Sequence, residues 1–171
     1  TPIISLSKSE IDFAGTPNPE TITVTANCSW SASSSANWLT VSQKDNTITL
    51  AVTANESNSN RTGTISVVHY GTTNASQKIT VRQVPASINA STESLVFNNT
   101  ASSVNVTINA EASWTAASSA SWIDISPASG ESGTSTMKVS VSPNTSTSER
   151  TGYVNLSIGG SQRIQIPVRQ R

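Results

Sequence analysis

Two stretches of this chain repeat one pattern, and that repetition limits what it can fold into. Trp30 to Val41 reads Trp-Ser-Ala-Ser-Ser-Ser-Ala-Asn-Trp-Leu-Thr-Val, and Trp114 to Ile125 reads Trp-Thr-Ala-Ala-Ser-Ser-Ala-Ser-Trp-Ile-Asp-Ile. Two tryptophans flank a loop of small residues, and the second starts a Trp-aliphatic-polar-aliphatic strand pattern. All four tryptophans of the protein lie in these two copies. Sequence length permits one domain or two, and the repeat decides for two, each large enough for one hydrophobic core.

Aligning the chain with itself extends the repeat across nearly its whole length. Phe13 falls on Phe97, Ile22 on Val106, Val24 on Ile108 and Trp38 on Trp122. The second copy then inserts residues around Pro127-Ala128-Ser129-Gly130-Glu131-Ser132-Gly133. Beyond the insertion Asn55 meets Asn144, and Arg61-Thr62-Gly63 meets Arg150-Thr151-Gly152. After a shorter hairpin in the second copy, Val81-Arg82-Gln83 meets Val168-Arg169-Gln170. Length changes of this kind fall where turns tolerate them. The expected domains are residues 1–85 and 86–171, joined by a short linker at Val84-Pro85-Ala86-Ser87. A short linker with a proline predicts an extended pair with restricted bending.

Within each copy the apolar residues alternate with polar ones, as in Thr21-Ile22-Thr23-Val24 and Thr47-Ile48-Thr49-Leu50. Alternation with β-branched residues marks half-buried strands. No helical stripe accompanies it, and Gly, Pro, Asn and Ser separate the strands. The fold class is therefore all-β, with two tandem immunoglobulin-like β-sandwiches. Asp45-Asn46 has the character of a hairpin turn. Pro167 lies inside the last strand pattern and cannot donate to a ladder, which predicts an edge strand.

Charge excludes some functions. Only 12% of residues are charged, and ten basic side chains balance ten acidic ones. That leaves no field to steer a polyanion such as nucleic acid. No apolar run is long enough for a membrane span. The sequence opens at Thr1 without an initiator Met or a signal-peptide core, as expected of a processed chain or an excised piece. Cys28 is the only cysteine, so no intrachain disulfide forms, and its counterpart Ala112 marks a small buried position.

Candidate chemistry is sparse. His69 is the only histidine, aligns with Ile158 in an inward strand phase, and has no nucleophile elbow beside it. Histidine and cysteine are too few for a metal cluster, and no cofactor is expected. The carboxylates are scattered, and Asp124 aligns with Thr40, so no acid pair for glycoside hydrolysis stands out. The expectation is that the chain is not an enzyme. Arg61 and Arg150 are expected to pack over a sandwich end and bond backbone carbonyls or a carboxylate. Asn55 and Asn144 suit Asx-turns, and Gly63 and Gly152 suit a bulge or positive φ.

Four aromatics are candidates for carbohydrate contact, because flat rings stack on the apolar faces of pyranoses. They are Trp38 and Trp122, at strand starts, and Tyr70 and Tyr153, in the outward phase of the strand that follows Arg-Thr-Gly. Each has a structural alternative: the tryptophans as core residues required twice, the tyrosines as shields of a sheet face. The Asn-x-Ser/Thr sequons include mid-strand positions and do not indicate a glycosylation programme.

Ser-Trp on a strand, then Trp-Leu or Trp-Ile, then Asn with Arg-Thr-Gly, then terminal Val-Arg-Gln resembles the BACON domain family (Bacteroidetes-associated carbohydrate-binding often N-terminal). The resemblance covers both copies. It implies an immunoglobulin-like sandwich in secreted or outer-membrane-anchored bacterial surface proteins, beside catalytic or lipoprotein domains. It also implies contact with polysaccharide or mucin glycans, and it transfers no binding residue. The expectation is a non-catalytic extracellular accessory module that touches glycans. The alternative is a rigid spacer that positions neighbouring domains and has no ligand.

Overall fold

The computed structural model describes residues 1–16, 18–70 and 75–171. Among these residues there are seventeen strands and no helix. In chain order the first nine tenths of a hundred residues supply β1 (Ile4–Leu6), β2 (Glu10–Phe13), β3 (Glu20–Ala26), β4 (Trp30–Ser34), β5 (Leu39–Lys44), β6 (Thr47–Val52), β7 (Arg61–His69), β8 (Ser76–Gln83) and β9 (Ile88–Ala90). There follow β10 (Leu95–Phe97), β11 (Ser102–Ala110), β12 (Trp114–Ser118), β13 (Ile123–Ser126), β14 (Ser129–Gly130), β15 (Gly133–Val141), β16 (Arg150–Ile158) and β17 (Ser161–Gln170). The chain divides into two compact units, Thr1–Asn55 with Ser59–Pro85, and Glu56–Asn58 with Ala86–Arg171.

The first unit is a sandwich of sheets ordered β1-β3-β6-β5 and β2-β8-β7-β4. All pairings are antiparallel except β2 with β8, which run parallel through Ile11↔Val81 and Phe13↔Gln83. The alternation expected from sequence is the burial seen: in β3 Ile22 and Val24 are buried between exposed threonines. Ile48 and Leu50 beside them on β6, and Ile65, Val67, Ile79 and Val81 on the facing sheet, close the core. Each such side chain contributes about 1.5–3 kcal/mol by leaving water. Asp45 takes φ 51°, the left-handed conformation that a tight β5–β6 hairpin requires.

The second unit repeats this arrangement with sheets β13-β15-β11-β9 and β10-β17-β16-β12-β14. Here β10 and β17 make the parallel pair. The two units are immunoglobulin-like sandwiches in tandem, so the expected fold class holds. The inserted Pro127–Gly133 stretch contributes β14, an extra edge strand that pairs Gly130 with Trp114 and Ser129 with Thr115.

Pro167 corrects one expectation. Its strand β17 is not an edge, because β10 and β16 flank it. Pairing with β10 runs only from Leu95↔Val168 to Phe97↔Gln170, so that flank of the strand has no ladder partner at Pro167. In the first unit the equivalent Thr80 donates its N–H to the Ser9 carbonyl at 2.9 Å, and β2 pairs over four residues. Proline lacks that donor, and β10 is one residue shorter than β2.

Candidate functional site

The residues shared by the two copies converge at one end of each sandwich. In the first, the Arg61 guanidinium lies 4.4 Å from the centroid of the Trp38 ring. Its Nε donates to Gln83 Oε1 at 2.8 Å, and its Nη2 to the Thr53 carbonyl at 2.6 Å and the Ala54 carbonyl at 3.2 Å. The Gln83 amide in turn donates to the Thr53 carbonyl at 3.0 Å and the Ala14 carbonyl at 3.3 Å. Asn55 Nδ2 closes the loop by donating to the Ser59 carbonyl at 2.8 Å. Desolvation lowers Arg61 from the ordinary guanidinium value, yet an arginine remains a cation.

The second copy rebuilds the same cluster. Arg150 stands 4.4 Å over the Trp122 ring. Its Nε and Nη2 donate to Gln170 Oε1 at 2.9 and 2.6 Å, and Nη2 also donates to the Ser142 carbonyl at 2.6 Å. Asn144 accepts from the Ser146 N–H at 3.2 Å, an Asx-turn, and donates to the Ser148 carbonyl at 2.9 Å. Asn55, Gln83, Asn144 and Gln170 are buried polar side chains, so this network satisfies groups that would otherwise cost stability.

Two details differ from the sequence expectation. Each arginine does bond backbone carbonyls, as expected, but its side-chain acceptor is a glutamine rather than a carboxylate. Gly63 and Gly152 do not take positive φ. They are needed for space: a Cβ on Gly63 would lie 3.1 Å from Trp38 Cζ2, and one on Gly152 would lie 2.6 Å from Ile123 Cδ1 and 3.2 Å from Trp122 Cζ2. The glycine lets the indole approach the strand backbone, and the arginine then stacks on it.

The four aromatic candidates therefore separate. Trp38 and Trp122 are half-buried, with a guanidinium already stacked over each ring. Tyr153 is exposed on the outward phase of β16, across from Pro167 on β17. Tyr70 is 74% exposed but lies one residue beyond β7, where its N–H donates to the Ser29 carbonyl at 2.9 Å. It shares the outward parity of Tyr153 but lies just outside the strand, because β7 ends at His69. By alignment the first-unit counterpart of Tyr153 is Thr64, so neither tyrosine belongs to the shared framework.

His69 is the half-buried last residue of β7, paired with Trp30. Cys28 is partly buried, with Sγ 3.9 Å from the Ile3 carbonyl. Among the described residues no group of His, Cys, Asp or Glu could hold a metal ion. A hollow of about 870 Å³ at one end of the second unit is lined by Asn98, Asn99, Thr100, Pro143 and Thr145. Its lining offers amide and hydroxyl side chains and the Arg171 guanidinium, with no Asp, Glu, Cys or His side chain.

A profile of the viral BACON domain family matches the chain twice, over residues 3–85 and 87–171. The chain belongs to the viral BACON domain family. Both BACON domains carry the complete Trp–Arg–Gln–Asn cluster, and domains of this family are typically non-catalytic accessory modules. No curated protein matches the sequence. Among solved structures, a Bacteroides ovatus GH5 xyloglucanase in complex with a XXXG heptasaccharide is similar at 30% identity over 49% of this chain and 18% of that one, with a TM-score of 0.46. The I9–I11 tandem from titin is similar at 10% identity over 99% of this chain and 65% of that one, with a TM-score of 0.48. The D00–D0 domain of intimin is similar at 9% identity over 98% and 99% of the two chains, with a TM-score of 0.40. The BACON tandem thus spans less than two thirds of the xyloglucanase and titin chains.

Proposed function

We propose that this BACON tandem is a non-catalytic, extracellular accessory module of a larger surface or secreted protein, and that it touches glycans through an exposed sheet face. The family membership supports an accessory role. With the family described as viral, the same reading covers display on a virus particle as well as on a bacterial surface. The observation that carries glycan contact is Tyr153. It stands outward and exposed on a sheet face where the other copy has threonine, and the framework does not require it.

A second reading, a spacer with no ligand, is favoured by one specific observation. Trp38 and Trp122, the half-buried tryptophans proposed to stack on sugars, each have an arginine of their own chain over the ring.

Affinity gel electrophoresis against mucin and a panel of plant polysaccharides separates the two. On the glycan reading at least one polymer retards the protein, and Tyr153→Ala weakens that interaction by roughly tenfold, the cost of losing an aromatic anchor. Retardation by none of them would leave the spacer.

A further inference from the structure

The two BACON domains present the same sheet face with opposite electrostatic arrangements. In the first, the outward row of β8 includes Arg82. Its guanidinium lies 3.4 Å from Glu10 Oε1 and 3.6 Å from Asp12 Oδ1, both on the neighbouring β2. In the second, the same strand position is Arg169, and the residues aligned with Glu10 and Asp12 are Ser94 and Val96. Arg169 pairs in register with Val96 on one side and Thr151 on the other. Among the described residues its guanidinium has no hydrogen-bond or ion-pair partner.

The neighbours of Arg169 suit a sugar ring. Pro167 and Tyr153 face each other across β17 and β16. Tyr153 is diagonal to Arg169, at a spacing of about 7–8 Å for such neighbours. Val96 is 65% exposed beside them. Next along the face Gln165 Nε2 donates to Asn155 Oδ1 at 3.1 Å, which adds amide donors and acceptors. Ser94, Leu95, Val96, Pro167 and Arg169 line a hollow of about 280 Å³. None of the outward residues named on this face is a carboxylate.

We infer that this face of the second BACON domain binds an acidic glycan. Arg169 grips a carboxylate or sulfate group in bidentate fashion, and Tyr153, Pro167 and Val96 pack on the apolar side of the ring. The inference rests on the glycan-contact reading above and specifies its ligand class and its place. The first domain does not share the site, because Glu10 and Asp12 already occupy its arginine.

The test uses the whole tandem in affinity gels at low and physiological salt. Polygalacturonate is compared with its methyl ester, and dextran sulfate with dextran, so that carboxylate and sulfate are assayed separately against neutral counterparts. At least one acidic polymer is expected to retard the protein more than its neutral counterpart, with the difference shrinking as salt rises. Arg169→Gln should weaken binding at least roughly tenfold. So should Ser94→Glu with Val96→Asp, which rebuilds the two acids of the first domain.

Lys78→Glu makes the same change of −2 in charge on the first domain and should leave binding intact. Equal loss with Lys78→Glu would overturn the site in favour of a general charge effect. Neutral polymers binding as well as acidic ones would overturn the acidic preference while sustaining glycan contact. Silence with every polymer would remove both. Far-UV circular dichroism confirms that each variant keeps its sheet, and the exposed single substitution Arg169→Gln guards against loss of folding in the double variant.

Discussion

Replacing Gln170 by leucine is expected to destabilise the second BACON domain by about 3–5 kcal/mol. The side chain is fully buried, and its two ends do different jobs. Oε1 accepts both Arg150 donors, at 2.9 and 2.6 Å, while Nε2 donates to the Ser142 carbonyl at 3.0 Å and the Thr100 carbonyl at 3.3 Å. Leucine fills much of the space but leaves the guanidinium short of an acceptor and two carbonyls short of a donor. Arg150 and the Ser142 carbonyl keep their mutual bond, but the Arg150 Nε and the Thr100 carbonyl lose the bonds that Gln170 supplied. Such desolvated groups outweigh the gain in apolar burial.

Hydrogen exchange resolved along the chain should show the loss across residues 86–171 and not across residues 1–85, where Gln83 keeps its own cluster. A loss below about 1 kcal/mol would show that the end cluster is not what fastens the sandwich. The same variant bears on function. Loosening Arg150 uncovers the Trp122 ring, so a protein that gained glycan affinity on Gln170→Leu would reveal a latent sugar platform held shut by its own arginine.

The architecture was legible because period-two alternation and the internal repeat are local signals. Ile22, Val24, Ile48 and Leu50 alternate with threonine in the sequence and are the residues that fill the core. The role of Arg61 and Arg150 was legible in outline, since an arginine repeated beside a repeated tryptophan suggests packing. The backbone carbonyl partners were foreseen, but the glutamine acceptor was not. Gln83 and Gln170 ended a Val-Arg-Gln match whose inward phase, shared with Val81 and Val168, was the available signal that the amide is buried. Gly63 and Gly152 were misread because glycine's sequence signature is conformational freedom, whereas here the need is space for an indole that arrives from another strand.

Pro167 failed as an edge marker for a related reason. A strand can be central along most of its length and unpaired at one residue, which only the register reveals. Arg169 was less visible still. It is identical in both copies, and its isolation depends on which residues β2 and β10 place across from it.

Replacing Trp114 by alanine is expected to cost about 3–5 kcal/mol, the usual range for a fully buried aromatic, and Trp114→Phe far less. The reason lies in the insertion that the second domain alone carries. Trp30 keeps 9% of its surface exposed, whereas Trp114, paired with Gly130 of β14, keeps 1%. A Cβ on Gly130 would fall 2.6 Å from Trp114 Nε1 and 2.7 Å from Cε2, so the added strand lies directly against the indole. That closure buries Nε1 without a hydrogen-bond acceptor among the described residues, a penalty of about 1–3 kcal/mol. Phenylalanine removes the orphan donor along with part of the packing, and the two effects should cancel to within about 1 kcal/mol. Gly130→Val should destabilise by about 1–3 kcal/mol, because a rigid ring cannot yield as a flexible side chain would. Denaturant unfolding of the three variants tests the balance. If Trp114→Phe proves as damaging as Trp114→Ala, the indole N–H is not an orphan, and β14 supports the tryptophan by more than shape.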